Sequence, residues 1–182
     1  MEYTNIQQLS GLMVAFDFEK VLDSLSWSFL FRALRSFNLG ESFIRWVSVL
    51  YCNISGCVLN NGFSSQLFDV RRGVRQGDPL SAYLFIIALE VLLVKIRSEE
   101  DTKGIVVIKE IKLAAFADDL TTFLYDASSL ENLSDIFHRF VMCSGLKLNA
   151  EKTEAVWLGT CLNRGFARQP CCMAGTMKIF CI

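Results

Sequence analysis

Between Leu113 and Tyr125 the chain is apolar or hydroxyl-bearing at every position except two, Asp118 and Asp119. This Phe116-Ala117-Asp118-Asp119 segment constrains the fold more than any other. Burying a charge requires a partner, and two like charges side by side raise the cost. One resolution is a turn, since Asp is a good turn residue and would place both carboxylates in water. The other is a divalent cation, which removes the burial cost and the mutual repulsion together. Both resolutions put a tight hairpin between two strands, Ile111–Phe116 and Leu120–Leu124.

A third carboxylate favours the cation. The apolar run Gly11–Phe16 ends in Asp17. A continuous run of that length reads as a strand buried on both faces. If this strand neighbours the hairpin, Asp17 and Asp118 converge on one point. Two hard cations about 4 Å apart on such carboxylates are what in-line phosphoryl transfer requires. Successive strand residues face opposite ways, so only one of Asp118 and Asp119 sits fully in the site. We take Asp118 first and Asp119 second.

The remaining pattern supplies the scaffold. Ser24 or Ser26 caps a helix over Trp27–Phe37, with Phe29, Leu30, Ala33, Leu34 and Phe37 on one face and Gly40 as its stop. A second helix covers Ser42–Tyr51, with Phe43, Trp46, Val47 and Leu50 as its stripe. Ile54–Leu59 and Phe63–Val70 flank the turn Asn60-Asn61-Gly62 and read as a hairpin. Pro79 opens a long helix to Arg97. Ile105–Ile108 adds a strand, Ser128 or Ser129 starts a helix to Met142 that Gly145 ends, and Thr153–Leu158 is a last strand. One sheet covered by helices on one face, an α+β layer architecture, accounts for this order.

Composition excludes several classes. At 182 residues, half of them hydrophobic and only 2 proline, the chain is long enough for a true core and is not a disordered linker. A net charge of −1 argues against a broad electrostatic grip on nucleic acid. Seven cysteines without a CxxC pair, and the lone His138, argue against zinc and for reduced thiols inside a cell, with nucleus and cytoplasm not distinguished. His138 reads as an exposed helix residue. No signal peptide is seen at the start. The apolar stretch Leu80–Ile96 carries Glu90 and is short for a span, so it reads as a core helix, with no membrane contact. From Thr160 to Ile182 periodicity fades and four cysteines cluster, so this tail is expected to be poorly ordered.

The loop Arg71–Pro79 holds three arginines beside Gly73 and Gly77. Glycine lets a backbone approach a nucleotide closely, and Arg75 and Gln76 carry donors for phosphate or base edges. An ordinary solvated loop before a proline-started helix is the alternative. Lys152 is either a surface lysine or within reach of a triphosphate.

These segments together resemble the reverse transcriptase of non-LTR (LINE-like) retrotransposons. Val14–Lys20 resembles the family's first catalytic motif, Gly73–Ser81 its second, and Phe116–Asp119 its third. Ser144–Asn149 with Lys152–Glu154 resembles the fourth, and the hairpin Asn53–Val70 has the family's look between the first two. The resemblance spans about Gly11–Gly159. It implies a polymerase palm-like antiparallel sheet, with residues 1–159 as a partial palm lacking fingers and thumb, and 160–182 as a divergent tail.

By position it implies that Asp17 and Asp118 bind two Mg2+ ions, or Mn2+, with the Phe18 carbonyl as a further ligand and Asp119 in support. Leu22 falls beneath the nucleotide sugar. Gln76 and Gly77, with Arg75, contact incoming nucleotide and template, and Lys152 donates a proton to pyrophosphate. The implied partners are an RNA template, a DNA primer and deoxynucleoside triphosphates. The implied activity is RNA-directed DNA synthesis; the alternative is a truncated, catalytically inactive relic that retains RNA binding. The family usually has Ala then an aromatic where this chain has Val21 and Leu22, which bears on discrimination against ribonucleotides. It also commonly has Pro where Ala82 stands.

Overall fold

The computed structural model describes residues 11–158 and 178–181. In chain order the elements are β1 (Gly11–Phe16), β2 (Phe18–Glu19), α1 (Val21–Ser24), α2 (Trp27–Ser36), α3 (Glu41–Leu50), β3 (Ser55–Gly56), β4 (Leu59–Asn60), β5 (Phe63–Ser64), β6 (Phe68–Asp69), α4 (Pro79–Ser98), β7 (Ile105–Val106), β8 (Glu110–Ile111), β9 (Leu113–Phe116), β10 (Asp119–Leu124), α5 (Ala127–Ser144), β11 (Lys147–Leu148), β12 (Glu154–Leu158) and β13 (Lys178–Cys181).

The main sheet has the order β13-β12-β1-β10-β9. It is antiparallel except for the pairing of β12 with β13. Side chains alternate across a strand, and here the alternation sorts the two faces. Leu12, Val14 and Phe16 of β1, and Leu120, Thr122 and Leu124 of β10, are buried against the helices. Met13, Ala15, Thr121 and Phe123 on the other face are half-buried. The expected burial of Gly11–Phe16 on both faces is therefore corrected: the helices cover one face. The α+β architecture itself is as expected.

The helix layer is α2, α4 and α5. In α4 the buried residues Ser81, Leu84, Phe85, Ala88, Leu89, Leu92, Leu93 and Ile96 recur at helical spacing and pack in the core. The helix is long and apolar enough to cross a membrane by length and composition. Its buried stripe, packed against α2 and α5, makes it the central core helix. Asp78 caps it through Leu80 N at 3.0 Å, and Pro79 occupies the first turn.

Local differences have local causes. In α3 the buried residues are Ile44 and Val47, while Phe43, Trp46 and Leu50 are exposed. The segment carries two overlapping apolar faces, and packing selects the one continued by buried Tyr51. The α2 helix stops where Asn38 takes a φ of 56°, two residues before Gly40. Its N-cap residue is Ser26, whose hydroxyl pairs with that of Ser28 at 2.9 Å instead of capping. Asp126, not Ser128 or Ser129, caps α5, because its carboxylate accepts from Ser129 N at 2.9 Å and from both serine hydroxyls. Burial pushes the Asp126 carboxyl up. The hydrogen bonds from Ser129 and Ser128, with the Lys103 charge, outweigh this and hold it below the ordinary carboxylate range.

The long hairpin 54–70 resolves into two short ladders, β4 with β5 about Asn61-Gly62, and β3 with β6 below it. The strand expected over Ile105–Ile108 is shorter, and β7 pairs with β8. The expectation of poor order for residues 160–182 lies, over 160–177, outside the described residues. Residues 178–181 form β13.

Candidate active site

The carboxylate end of the sheet is set by register. Leu12–Phe16 of β1 pair with Leu124–Leu120 of β10, so the pair Phe16 and Leu120 is the last before Asp17 and Asp119. Extending that register by one residue sets Asp17 opposite Asp119. Both belong to the sheet face away from the helices. Asp119 pairs with Phe116 as the first residue of β10, so the turn is Ala117-Asp118 and not Asp118-Asp119. Ala117 takes a φ of 54°, which reverses the chain in so short a connection. Asp118 and Asp119 are exposed, and Asp17 is half-buried.

The backbone of Asp17 is held from the C-terminal side. Asn149 N donates to Asp17 O at 2.8 Å, and Asp17 N donates to Thr153 Oγ1 at 3.5 Å. Thr153 is itself fixed, since its hydroxyl donates to Asn149 O at 2.8 Å. A β2–β11 ladder, with Phe18 opposite Leu148, continues the attachment. The Phe18 ring is buried beside Phe137, which also stacks on Phe16 at 4.3 Å. Only the backbone of Phe18 is thus left to serve a ligand.

This attachment creates an open cleft of about 610 Å³ that Asp17, Phe18 and Lys152 share. The structure brings these three together. Lys152 is exposed, with its backbone N donating to Asn149 Oδ1 at 3.3 Å. Glu19, Lys20 and Glu151 also line the cleft, and the sequence reading passed over them. Lys20 was findable, because it closes the Val14–Lys20 motif three residues after Asp17.

The loop Arg71–Pro79 lies against α1, a helix turn the sequence reading did not assign. Gly73 N donates to Leu25 O at 2.8 Å, Val74 N to Leu22 O, and Trp27 Nε1 to Gly73 O at 2.7 Å. Leu22 is half-buried at the edge of the core. Gln76 Nε2 donates to Asp23 Oδ1 at 3.1 Å. Arg75 Nη2 donates to Leu50 O at 3.3 Å, tying the loop to the end of α3. Gly77 is exposed with a φ of 82° and open space around it. None of Leu22, Arg75, Gln76 and Gly77 lines the Asp17 cleft.

Asp17, Asp118 and Asp119 present oxygen atoms, the donor type that Mg2+ and Mn2+ prefer, with no thiol or imidazole among them. Among the described residues, no three His, Cys, Asp or Glu side chains are gathered into a ready-made metal cluster. His138 is exposed on α5, and Cys52, Cys57 and Cys143 are exposed free thiols.

The family profile described as reverse transcriptase (RNA-dependent DNA polymerase) matches residues 1–171. The chain belongs to the reverse transcriptase family. Among its relatives is the Retrovirus-related Pol polyprotein from type-2 retrotransposable element R2DM of Drosophila melanogaster, 36% identical over 155 residues, or 85% of this chain and 14% of the relative. The transposon TX1 uncharacterized 149 kDa protein of Xenopus laevis is 28% identical over 83% of this chain and 12% of that protein. This reverse-transcriptase-like domain is thus related to the Pol proteins of non-LTR retroelements, and spans about a seventh or less of these two. Among solved structures, apo telomerase from Candida tropicalis truncated from its C-terminal domain superposes with a TM-score of 0.61 at 17% identity, covering 82% of this chain and 31% of that one. Telomerase from Candida albicans gives 0.60 at 15% identity, covering 85% and 27%. This likeness bears on the fold: an antiparallel sheet packed on helices, as in a palm domain.

Proposed function

We propose that this reverse transcriptase domain carries the nucleotidyl-transfer site of RNA-directed DNA synthesis in a LINE-like retroelement. The observation that carries the reading is the register: it sets Asp17 across from Asp119, with Asp118 at the adjoining turn, at one end of the main sheet. Asp17 and Asp118, with the Phe18 carbonyl, are the groups that would hold two Mg2+ ions, or Mn2+, and Asp119 supports them. When bound, the ions acidify the primer 3′ hydroxyl and neutralise the leaving pyrophosphate.

The protein's own residues do the rest. The Asn149–Thr153 loop fixes the backbone of Asp17, which sets where its carboxylate starts. Lys152 stands on the same cleft as a cation able to give a proton to pyrophosphate. Leu22, held by Val74, sits beneath the nucleotide sugar, and Arg75, Gln76 and Gly77 meet nucleotide and template. The partners are then an RNA template, a DNA primer and deoxynucleoside triphosphates, in an intracellular setting. In this reading the palm domain is assigned to residues 1–159.

A second reading, a catalytically inactive relic that still binds RNA, draws on the carboxylates not being gathered among the described residues. Positioning supplies roughly 7–11 kcal/mol of a barrier, and carboxylates held apart from one another give up much of it. Primer extension on an RNA template with Mg2+ or Mn2+, beside Asp118→Asn, separates the readings. Extension abolished by the substitution supports the polymerase. No extension from folded protein refutes it, and salt-sensitive RNA binding would then identify the relic.

A further inference from the structure

The Gln76 amide has a defined polarity. Its Nε2 donates to Asp23 Oδ1 at 3.1 Å. An ionised carboxylate only accepts, whereas a glutamine amide has one accepting oxygen and one donating nitrogen. Turning the amide over would set two acceptors against each other. Facing Asp23 therefore commits the nitrogen and leaves Oε1 directed away. Both side chains are exposed, so the committed amide is open to a ligand.

The contact is not an isolated surface pair. The loop is joined to α1 and the start of α2 at three further points, Val74 N to Leu22 O, Gly73 N to Leu25 O just past α1, and Trp27 Nε1 to Gly73 O. A Cβ at Gly73 would lie 2.8 Å from Asp23 Cα and from Leu22 O, so the two backbones are in direct contact. Asp23 and Gln76 are thus presented to each other by this junction, one residue beyond Leu22 and two residues beyond Val74, which it ties together.

From this geometry we infer that Asp23 is a positioning residue: it orients Gln76 so that Oε1 is offered to the nucleotide, which makes Gln76 an acceptor that selects a hydroxyl or amino donor on its ligand. The contact itself stands on the structure alone; the nucleotide as ligand rests on the reading under Proposed function.

The test uses the full chain and has two arms. In the first, the Gln76 side-chain amide resonance is assigned by its loss in Gln76→Ala, and its proximity to the Asp23 β-protons and its solvent exchange are measured. The proximity is expected in the unsubstituted protein. Asp23→Ala should speed exchange to that of a free glutamine, and Asp23→Asn should not, because its Oδ1 still accepts. Lack of the proximity, or equal exchange in Asp23→Ala, overturns the inference.

In the second arm, primer extension is followed against deoxynucleotide concentration. Asp23→Ala should raise KM about fivefold, the loss of one exposed hydrogen bond, with kcat within about twofold. Gln76→Glu, which sets two carboxylates together, should act in the same direction, and Asp23→Asn should restore KM. An unchanged KM in Asp23→Ala overturns the inference. If the unsubstituted protein does not extend primers, the polymerase reading fails, and the first arm still decides the positioning. Should Asp23→Ala fail to fold, the proximity of the Gln76 amide to the Asp23 β-protons in the unsubstituted protein decides the first arm, and Gln76→Glu decides the second.

Discussion

Replacing Gly73 by alanine tests the junction that joins the Arg71–Pro79 loop to α1. Gly73 takes a φ of 85°, and an added Cβ would meet Asp23 Cα, Asp23 O and Leu22 O at 2.8 Å each. These are backbone atoms, so no side chain can swing aside. The left-handed conformation alone costs a non-glycine residue about 1–2 kcal/mol. Relieving the clash pulls the loop off α1 and breaks the bonds from Gly73 N and Val74 N, at about 0.5–1.5 kcal/mol each. The expected loss is roughly 2–5 kcal/mol by urea unfolding, a large part of the 5–15 kcal/mol typical of a domain. Gly77→Ala is the internal comparison. Its φ is 82° and nothing lies within 4 Å of the added Cβ, so only the backbone cost of about 1–2 kcal/mol applies. A loss for Gly73→Ala no greater than that for Gly77→Ala would refute the close junction.

Three further outcomes are expected. Asp126→Ala removes the cap of α5 and should cost about 0.5–2 kcal/mol near neutral pH, measured by urea unfolding. The Asp126 carboxyl is depressed in the fold, so its contribution is present above the ordinary value of 3.8 and is lost as pH falls below it; the difference between the two proteins should shrink in acid, and a constant difference would contradict the cap. Thr122→Val should stabilise by about 1–3 kcal/mol in thermal melts, because the Thr122 hydroxyl is fully buried without a hydrogen-bond partner and valine has nearly the same shape. Asp118→Asn should leave the melting temperature nearly unchanged, since Asp118 is exposed in a turn, while abolishing primer extension. Loss of the fold in that variant would mean that Asp118 acts structurally.

Much of the scaffold was legible because its signals are local. Apolar spacing with Asp78-Pro79 marked α4, and an apolar run ending in Asp17 marked β1. Asn61-Gly62 marked the β4–β5 turn, and Gly145 the end of α5. Signals that compete locally were not resolved. The α3 segment holds two apolar faces, and only packing beside Tyr51 selects Ile44 and Val47. Asp126 and Ser129 both suit a cap, and only the geometry shows one carboxylate accepting from both serines. The single-turn helix α1 has too few residues to show a period.

The candidate site divides along the same line. The sequence by itself determined which groups are candidates for the chemistry: Asp17 after a strand, Asp118 and Asp119 between two strands, and a Gly- and Arg-bearing loop ahead of a helix. Residue type and spacing suffice there, because a charge in an apolar run announces its own cost. Which of those groups meet was decided by the tertiary structure. Antiparallel pairing of β1 with β10 sets Asp17 across from Asp119, and the Asn149–Thr153 loop brings Lys152 beside Asp17 from 135 positions along the chain. The same folding aims Gln76 at Asp23, which no reading of the loop alone foresees. Such contacts depend on strand register and on the closing of long loops, and neither is encoded in the neighbours of the residues that make them.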